Sequence, residues 1–540
     1  MKRIISCVLL TVFICAFISG CTVVKKASYT LSGTVGKSNR IIGNIYSGVN
    51  YWSRDTLLAQ MPFNTKEFFD ENMDFIDTVE IMSATGGNEN LDLYKDPLNY
   101  EVLDDYDFQP LIDCCKYIVD LGLRPSLKLG NIPLKLTGKP FKDGEFGVTV
   151  YPPSEDNYVN YYLYLKNCVQ ALSDEFGVEE VKTWRFGTIT EAENPGWIQC
   201  TDEEFIKIYD CTVAAVEQVL GKEAEIGIHF MDYCSRTKAI FKHCSSGTNF
   251  ITGESGVSLD YIDISYYIQN KTEYDRLDLR VTTVKSDAES YGLNIKVGVG
   301  EGRILRSKYD GAPLTSRILG DSYQAAMDTR NFMEAVEADI DYIWQWPNLT
   351  SAAVAPGLKL IGLKVQQLLK NTYGSYYNPM KRYSGGLSLH EYIKGFTAYN
   401  EAEDKAYAAL YSMNIGGVSA KTKNISVKLD LPWNNGRVRI KKYIIDNSVN
   451  YFDEWTADYT AAGYTSAANN FGWALESPFD SNTWSSDLCK LFLSGYEKYK
   501  TYDIEPQAVE STQQIVNGQI ELYTGITSDS VIYYEIELIG

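Results

Sequence analysis

The sequence has few histidines and no cysteine spacing that is typical of a metal site. Its 540 residues include 3 histidines and 11 cysteines, none of them in a CxxC pair. Because structural zinc needs several such ligands at close spacing, the sequence predicts no metal and no cofactor. Most of the cysteines are expected to be small buried residues, and one disulfide is compatible with their number.

An excess of positive charge is also missing. Lysine and arginine number 50 against 70 aspartates and glutamates, so the formal net charge is −20. Nucleic acid and anionic membrane surfaces are therefore disfavoured as partners. A neutral oligosaccharide or polysaccharide is compatible with this charge. Aromatic residues, at 13% of the chain, have faces that stack on sugar rings, although strands and core account for most of such an enrichment.

Only one long apolar run is present, and it lies at the N-terminus. Lys2 and Arg3 precede the apolar stretch 4–18, which is too short to span a membrane comfortably, and Ser-Gly-Cys21 closes it. This resembles the bacterial lipoprotein signal, in which the cysteine is lipidated; a plain secretory signal is the alternative. We expect residues 1–21 to be a signal peptide and 22–40 a tether. The protein would then be lipid-anchored at Cys21 to a bacterial cell membrane, facing outside the cytoplasm.

Strand-like and helix-like segments alternate from about residue 41 to 375. Such alternation favours a parallel sheet, and eight strands are the number that closes a barrel. The sequence therefore predicts an α/β fold, a (β/α)8 TIM barrel. The eight predicted strands are "NIYSGVN", "TVEIMSA", "SLKLG", "TWRFGTIT", "EIGIHF", "SLDYIDISYY", "LNIKVGVGEG" and "DIDYIWQWP".

After about residue 376 the pattern changes to strands with few helices between them. Alternation with a period of two is typical of strands that bury one face. Residues 376–540 are therefore predicted to form an all-β domain, a sandwich. Its clearest strands are "ISVKLDL", "VRIKKYIID", "QIELYTG" and "VIYYEIEL".

Glu191 follows directly on the predicted strand "TWRFGTIT". In a barrel of this kind the loops at the carboxyl ends of the strands form the open mouth, where catalytic groups lie. The next helix has its own capping box at Thr201, so Glu191 is not needed to begin it. A surface turn or a capping box from Thr188 is the alternative interpretation, but Asn194-Pro195-Gly196 breaks the chain immediately afterwards.

Glu301 ends another predicted strand, "LNIKVGVGEG", and continues its alternating apolar positions. Burying a carboxylate there is costly, which suggests a function, although an exposed glutamate just past the strand is the alternative. Two glutamates on two strand ends are the groups that glycoside hydrolysis needs, one as acid and one as nucleophile or base.

Four segments in the two predicted domains share one resemblance. They are "YDFQPLIDCCKYIVDLGLRPSLKLGNIP" (106–133), "WRFGTITEAEN", "IKVGVGEG" and "YIIDNSVNYFDEW" (443–455). These segments resemble glycoside hydrolase family 39, the β-xylosidase and α-iduronidase group. The resemblance implies a retaining hydrolase with Glu191, not Glu193, as acid/base and Glu301 as nucleophile, and it favours exo action on oligosaccharides. It also implies that Tyr267 supports the nucleophile.

The chain departs from the family pattern at three places. Thr190 replaces an asparagine that binds the sugar 2-hydroxyl, and it is a candidate for the same contact although its side chain is shorter. Histidines of the family are absent from "VEIMSATGG" and "IDISYYIQN". Two alternatives therefore stay open: a catalytically inactive carbohydrate-binding lipoprotein on the same barrel, or an endo-acting polysaccharide hydrolase of the same clan.

Further residues near predicted strand ends are candidates for substrate contacts. Trp344 and Trp346 are candidates for a surface on which a sugar ring stacks, with an ordinary core role as the alternative. Asn131 and His229 are candidates for hydroxyl contacts, with a structural role as the alternative for both. Tyr267 is a further candidate for a substrate contact, with a core role as the alternative. Lys128 is a candidate partner for a carboxylate, including that of a uronic acid.

Overall fold

The structure is a computed structural model that describes residues 27–58, 65–268, 277–304, 322–345, 358–388, 391–414, 421–463 and 487–540. The predicted signal peptide and its Cys21 lie outside these residues. Within them, no helix combines the length and the apolar character needed to cross a membrane.

Eight parallel strands close into a barrel in chain order, which confirms the predicted TIM-barrel class. Every strand lies within or beside a segment that the sequence predicts to be extended. The strands are β2 (Gly48–Ser53), β3 (Thr78–Ser83), β4 (Arg124–Lys128), β5 (Arg185–Gly187), β6 (Glu225–Phe230), β7 (Tyr261–Ile268), β8 (Lys296–Ile304) and β9 (Ile343–Gln345).

Amphipathic helices pack around the barrel. The helix Asp202–Leu220 begins at the predicted capping box, in which Thr201 Oγ1 accepts from the Glu204 amide at 3.2 Å and the Glu204 carboxylate accepts from the Thr201 amide at 2.7 Å. Further helices of the barrel domain are Arg54–Leu58, Lys66–Asn72, Gln109–Asp120, Leu134–Thr137, Tyr158–Phe176, Val178–Val181, Ser235–Ser246, Leu277–Ser290, Ser322–Ala338 and Ile361–Leu369.

The C-terminal domain consists of two sheets. One has the order β11-β1-β14-β17 and the other β10-β12-β13-β18-β15-β16. Helices Phe452–Ala461 and Asp487–Lys500 also lie in this part of the chain. The strands are β1 (Tyr29–Thr34), β10 (Tyr376–Pro379), β11 (Lys381–Gly385), β12 (Glu391–Asn400), β13 (Lys405–Asn414), β14 (Thr422–Asp430), β15 (Arg437–Ile445), β16 (Val509–Gln514), β17 (Gln519–Thr527) and β18 (Ser530–Leu538).

Strand β1 corrects the prediction of a tether over residues 22–40. Residues 29–34 pair in parallel with β14 and antiparallel with β11. Tyr29 and Leu31 are buried in the core of the sandwich. The physical reason is that "YTLSGT" supplies an inward-facing apolar pair to a sheet whose other strands come from about 350 to 500 residues later in the chain. The prediction of a tether is therefore wrong for these residues.

The cysteines with described side chains are all free thiols, so the described part of the chain contains no disulfide. Burial raises the pKa of the Cys114 and Cys168 thiols to about 12, and both side chains are fully enclosed. They act as small apolar residues, as the sequence predicts.

Candidate functional site

Strand β7 holds both candidate carboxylates through two side chains on one face. The Ser265 hydroxyl donates to Glu191 Oε1 at 2.6 Å, and the Tyr267 hydroxyl donates to Glu301 Oε1. Residues two apart on a strand point the same way and lie roughly 7 Å apart. A single strand therefore brings Glu191 and Glu301 to the same place at the mouth of the barrel, and each carboxylate is only 7% exposed.

A bulge between β7 and β8 turns Glu301 into the barrel. The register runs Ile264 with Val299 and then Ser265 with Glu301, which leaves Gly300 as an extra residue on β8. A Cβ on Gly300 would lie 2.7 Å from the side chain of Asp263. Gly300, and the residue two positions before it on β8, therefore face the barrel interior. Strict alternation would send Glu301 to the outside with Val299. The bulge reverses the alternation, as bulges beside active sites commonly do.

The two oxygens of Glu301 have different surroundings. Oε1 accepts from Tyr267, whereas Oε2 is buried without a hydrogen-bond partner among the described residues. Burial raises the pKa of Glu301 well above its usual range, the nearby charge of Glu191 raises it further, and the Tyr267 hydrogen bond opposes both. Two carboxyls in one buried place disfavour double ionisation.

Glu191 occupies a tight turn just after β5. Its φ is 45°, in the left-handed region that residues other than glycine rarely adopt. Asn194 holds the turn, because its amide donates to the Glu191 carbonyl at 2.7 Å and its Nδ2 donates to Glu191 Oε2 at 2.7 Å. The Ala192 amide donates to the carbonyl of His229 on β6. Both carboxylate oxygens of Glu191 are thus positioned by side chains.

Glu193 has a structural role that separates it from Glu191. Its carboxylate accepts from the amides of Met231 at 2.9 Å and Asp232 at 2.7 Å, just beyond the end of β6. The side chain therefore holds the turn after β5 to the turn after β6. This geometry agrees with the choice of Glu191 over Glu193 as the candidate acid/base.

Thr190 does not present its hydroxyl to the barrel opening. The side chain is fully buried, and Oγ1 donates to the Met82 carbonyl on β3 at 3.4 Å. In this arrangement the hydroxyl supports the neighbouring strand, so the structure gives no support to the prediction that Thr190 contacts a sugar.

His229 is placed behind the site and not in it, which corrects the prediction of a substrate contact. The ring is fully buried, and Nε2 lies 3.0 Å from Ser265 Oγ. Burial, assisted by the charge of Lys128, lowers the pKa of His229 to about 3, so the imidazole is neutral at ordinary pH. Asn131 is 1% exposed, and its amide atoms have no hydrogen-bond partner among the described residues. A contact between Asn131 and substrate stays a prediction.

Lys128 pairs with carboxylates of the protein and is not available to a substrate carboxylate. Its ammonium lies 3.3 Å from Glu80 and 3.2 Å from Asp263, and all three side chains are fully buried. Arg185 adds a second cation at 3.0 Å from Asp263. Burial acts to raise the pKa of Asp263, but Arg185 and Lys128 together hold it below its usual range. This cluster, formed by Glu80, Lys128, Arg185 and Asp263, fills the barrel interior next to the two glutamates.

Trp344 belongs to the packed interior, which corrects the prediction of a sugar-stacking surface. It is 2% exposed, its ring stacks on Tyr342 at 4.7 Å, and the guanidinium of Arg185 lies 4.6 Å from its centre. A sugar cannot reach a ring whose faces are already covered. Trp346 lies outside the described residues.

Another aromatic group lies at the mouth. Trp197, six residues after Glu191, stacks on Phe146 at 4.8 Å and lies 4.7 Å from Trp52, which follows the inward-facing Asn50 on β2. Trp52 and Phe146 are both partly exposed. These rings form a partly exposed aromatic group, unlike the covered Trp344, and the sequence offered no periodic signal for them because two lie in long loops.

Several positioning residues were not predicted. Ser265 and Asn194 contact Glu191 directly, and Asp263 organises the charged interior. One signal was available in "DISYY", where Asp263, Ser265 and Tyr267 alternate on one face of a strand that is otherwise apolar. Within the described ranges no group of three or more histidine, cysteine or acidic side chains is arranged to hold a metal ion.

Comparison with known proteins shows a likeness to one family of glycoside hydrolases. The model of Glycosyl hydrolases family 39 matches residues 88–286, which include Glu191, Ser265 and Tyr267. The matched residues are fewer than half of the chain. The α-L-iduronidase of Mus musculus is 31% identical over 96 residues, which cover 16% of this chain. That match spans only 15% of the mouse enzyme's own length.

Solved structures extend the family likeness to the whole fold. A bacterial orthologue of human α-L-iduronidase matches with a TM-score of 0.63 and 16% identity, covering 95% of this chain and 84% of that one. A monomeric β-xylosidase from Caulobacter crescentus matches with a TM-score of 0.63 and 13% identity, covering 95% of this chain and 100% of that one. At these identities the likeness establishes the barrel and the sandwich and no more.

Proposed function

We propose that the chain is a retaining glycoside hydrolase in which Glu301 is the nucleophile and Glu191 the acid/base. One observation carries this assignment: Ser265 and Tyr267, two residues apart on β7, hold one oxygen of each glutamate. Their spacing of roughly 7 Å along the strand is of the order that a retaining pair needs, about 5–5.5 Å between carboxyl groups. The match to the model of the hydrolase family supports the same reaction class.

The hydrogen bonds assign a task to each oxygen. Tyr267 occupies Oε1 of Glu301, so the unpartnered Oε2 attacks the anomeric carbon as the bond to the leaving oxygen breaks. Ser265 occupies Oε1 of Glu191, so Oε2 gives its proton to the leaving oxygen, and the contact of Asn194 with that atom yields to the proton. Water then attacks the glycosyl ester on Glu301, and Glu191 takes its proton. Two inversions retain the configuration.

Glu301 must be ionised to attack, and its raised pKa opposes ionisation. A substrate hydroxyl that donates to Glu301 would favour the ionised form. Substrate binding and ionisation of the nucleophile are therefore coupled in this proposal.

We propose exo action on oligosaccharides and anchoring outside the cytoplasm through a lipid on Cys21. The iduronidase and β-xylosidase names of the similar proteins support the first part. The N-terminal pattern supports the second. Exo action predicts release of single terminal sugars from a labelled oligosaccharide, and endo action predicts internal fragments. Metabolic labelling with a palmitate analogue, compared between wild type and Cys21→Ala, tests the anchor.

The experiment that tests the reaction is a screen of aryl glycosides with the product anomer followed by NMR. Retention predicts that the first product has the substrate's configuration. Glu301→Gln removes the nucleophile, and its matched control is Glu193→Gln, a nearby glutamate with a structural role. Turnover by Glu301→Gln equal to that of wild type would contradict the assignment.

A second candidate function, carbohydrate binding without hydrolysis, is favoured by one observation. The hydroxyl of Thr190 faces Met82 and not the opening, so the family's contact with the sugar 2-hydroxyl is not made by this residue. A pure binding protein predicts retention of oligosaccharides on a column of the immobilised protein and no hydrolysis of any activated glycoside.

A further inference from the structure

His229 and Ser265 form a hydrogen-bonded chain that ends on Glu191. Ser265 is 3% exposed and His229 is fully buried. The distances are 3.0 Å from His229 Nε2 to Ser265 Oγ and 2.6 Å from Ser265 Oγ to Glu191 Oε1. Because His229 and Ser265 are both buried behind Glu191, any effect that they have on the reaction must pass through Glu191.

The chemistry of the three groups sets the direction of this chain. A carboxylate only accepts hydrogen bonds, and 2.6 Å is typical of a hydroxyl that donates to an ionised oxygen. Ser265 has one hydroxyl proton and gives it to Glu191, so its oxygen must accept from His229. A neutral imidazole carries one ring proton. That proton therefore lies on Nε2 of His229, and Nδ1 is left as an acceptor without a partner among the described residues.

We propose that His229 is a positioning residue that, as the Nε2–H tautomer, fixes Ser265 and through it holds Oε1 of Glu191 so that Oε2 exchanges the catalytic proton. This inference deepens the proposed function and rests on it for its kinetic consequences. Without the Ser265 contact, the Glu191 carboxyl rotates more freely, because among the described side chains it then keeps the hydrogen bond from Asn194 alone. The protonated oxygen would face the leaving group for a smaller fraction of the time.

The first test observes His229 in the wild-type protein and needs no activity. The full chain contains 3 histidines, so nitrogen-15 labelling of histidine gives three sets of ring signals, and His229→Gln assigns one set. The expected result is the neutral Nε2–H tautomer at His229, with a ring signal that moves in Ser265→Ala. The Nδ1–H tautomer, or a signal indifferent to Ser265→Ala, would overturn the chain.

The second test uses leaving groups that differ in their need for a proton. For Ser265→Ala, kcat/KM should fall about tenfold on an aryl glycoside with a poor leaving group, the size expected for one charge-assisted hydrogen bond. For the dinitrophenyl glycoside, whose leaving group departs without acid assistance, kcat/KM should stay within about twofold of the wild-type value. Ser83→Ala is the matched control, because Ser83 is a buried serine at the end of β3 whose hydroxyl contacts neither glutamate.

The third test concerns His229 itself. His229→Leu should reproduce the pattern of Ser265→Ala, and His229→Gln, whose amide keeps a donor, should recover most of the loss. His243→Gln is the matched control, because His243 contacts Asp210 on another helix. Equal losses on both leaving groups would show a merely structural role. If His229→Leu does not fold, the tautomer of His229 in the wild-type protein still tests the hydrogen-bonded chain. If no glycoside is hydrolysed, the proposed function fails, while the tautomer still decides the hydrogen-bonded chain.

Discussion

The barrel contains a buried charged cluster, whereas the core of the sandwich is apolar. The barrel encloses Glu80, Lys128, Arg185 and Asp263, all fully buried, next to the two candidate catalytic glutamates. The core of the sandwich is formed by aliphatic and aromatic side chains of both sheets. Buried ion pairs rarely stabilise a fold more than apolar packing of the same volume does. The contrast therefore indicates that the barrel interior is organised for charge placement and the sandwich for stability.

The largest expected effect is on Glu301. Glu301→Gln should lower kcat by about a thousandfold or more, because the covalent step loses its nucleophile. Stability should stay equal or rise, since a buried carboxylate with an unpartnered oxygen is removed. Turnover numbers together with thermal melting check both parts. A large loss of stability without loss of turnover would mean that Glu301 serves the stability of the barrel and not the reaction.

The next effect concerns the charged cluster. Lys128→Met leaves Glu80 and Asp263 without their shared cation and should cost about 3–5 kcal/mol of unfolding free energy. The matched control in the sandwich is Lys423→Met, which breaks a partly exposed pair with Glu391 and should cost at most about 1 kcal/mol. Denaturant unfolding measures the two values. Equal costs would remove the difference between the two interiors.

A cavity in the sandwich should affect stability alone. Leu410 is fully buried on β13 in the apolar core. Leu410→Ala should cost about 2–5 kcal/mol of stability and leave kcat/KM unchanged while the protein is folded. Unfolding by denaturant and kinetics at low temperature give the two numbers. A fall in kcat/KM of the folded variant would mean that the sandwich contributes to the reaction.

The pH dependence of the activity should change when Tyr267, the hydrogen-bond donor to Glu301, is replaced. The pKa of Glu301 is raised, so the nucleophile protonates and activity falls as the pH drops through a value above that of an ordinary carboxyl. Tyr267→Phe removes the donor that opposes this rise. The acid limb should move to higher pH, and kcat/KM at neutral pH should fall roughly tenfold to a hundredfold.

The control for Tyr267→Phe is its neighbour on the other face of β7. Tyr266 donates to Glu334 of an outer helix at 2.6 Å. Tyr266→Phe should therefore leave the acid limb in place. A limb that stays in place in Tyr267→Phe, or moves as far in Tyr266→Phe, would contradict the assignment of Tyr267.

The smallest effect is at a helix end. Thr201→Ala removes the capping side chain of the helix Asp202–Leu220 and should cost about 1 kcal/mol. The melting temperature checks this cost. An unchanged melting temperature would mean that water replaces the cap.

Local patterns predicted the eight barrel strands, because hydrophobic period and turn residues are properties of neighbouring positions. They did not predict the ends of the two strands before Glu191 and around Glu301, since β5 already ends at Gly187 and β8 continues to Ile304. Contacts between distant segments were not predictable in this way. The pairing of Tyr29–Thr34 with β14, the bulge that turns Glu301 inwards, and the covering of Trp344 by Tyr342 and Arg185 all depend on partners far along the chain. His229 was placed in the site for the same reason, since only the structure shows Ser265 in front of it.

The most direct test of convergence between Glu191 and Glu301 is covalent trapping. Wild-type protein is incubated with activated 2-deoxy-2-fluoro derivatives of xylose, glucose and iduronic acid, digested and examined by mass spectrometry. The account predicts one added sugar mass on the peptide that contains Glu301, absent in Glu301→Gln. A label on another carboxylate, or none from any derivative that the protein demonstrably hydrolyses without the fluorine, would contradict it.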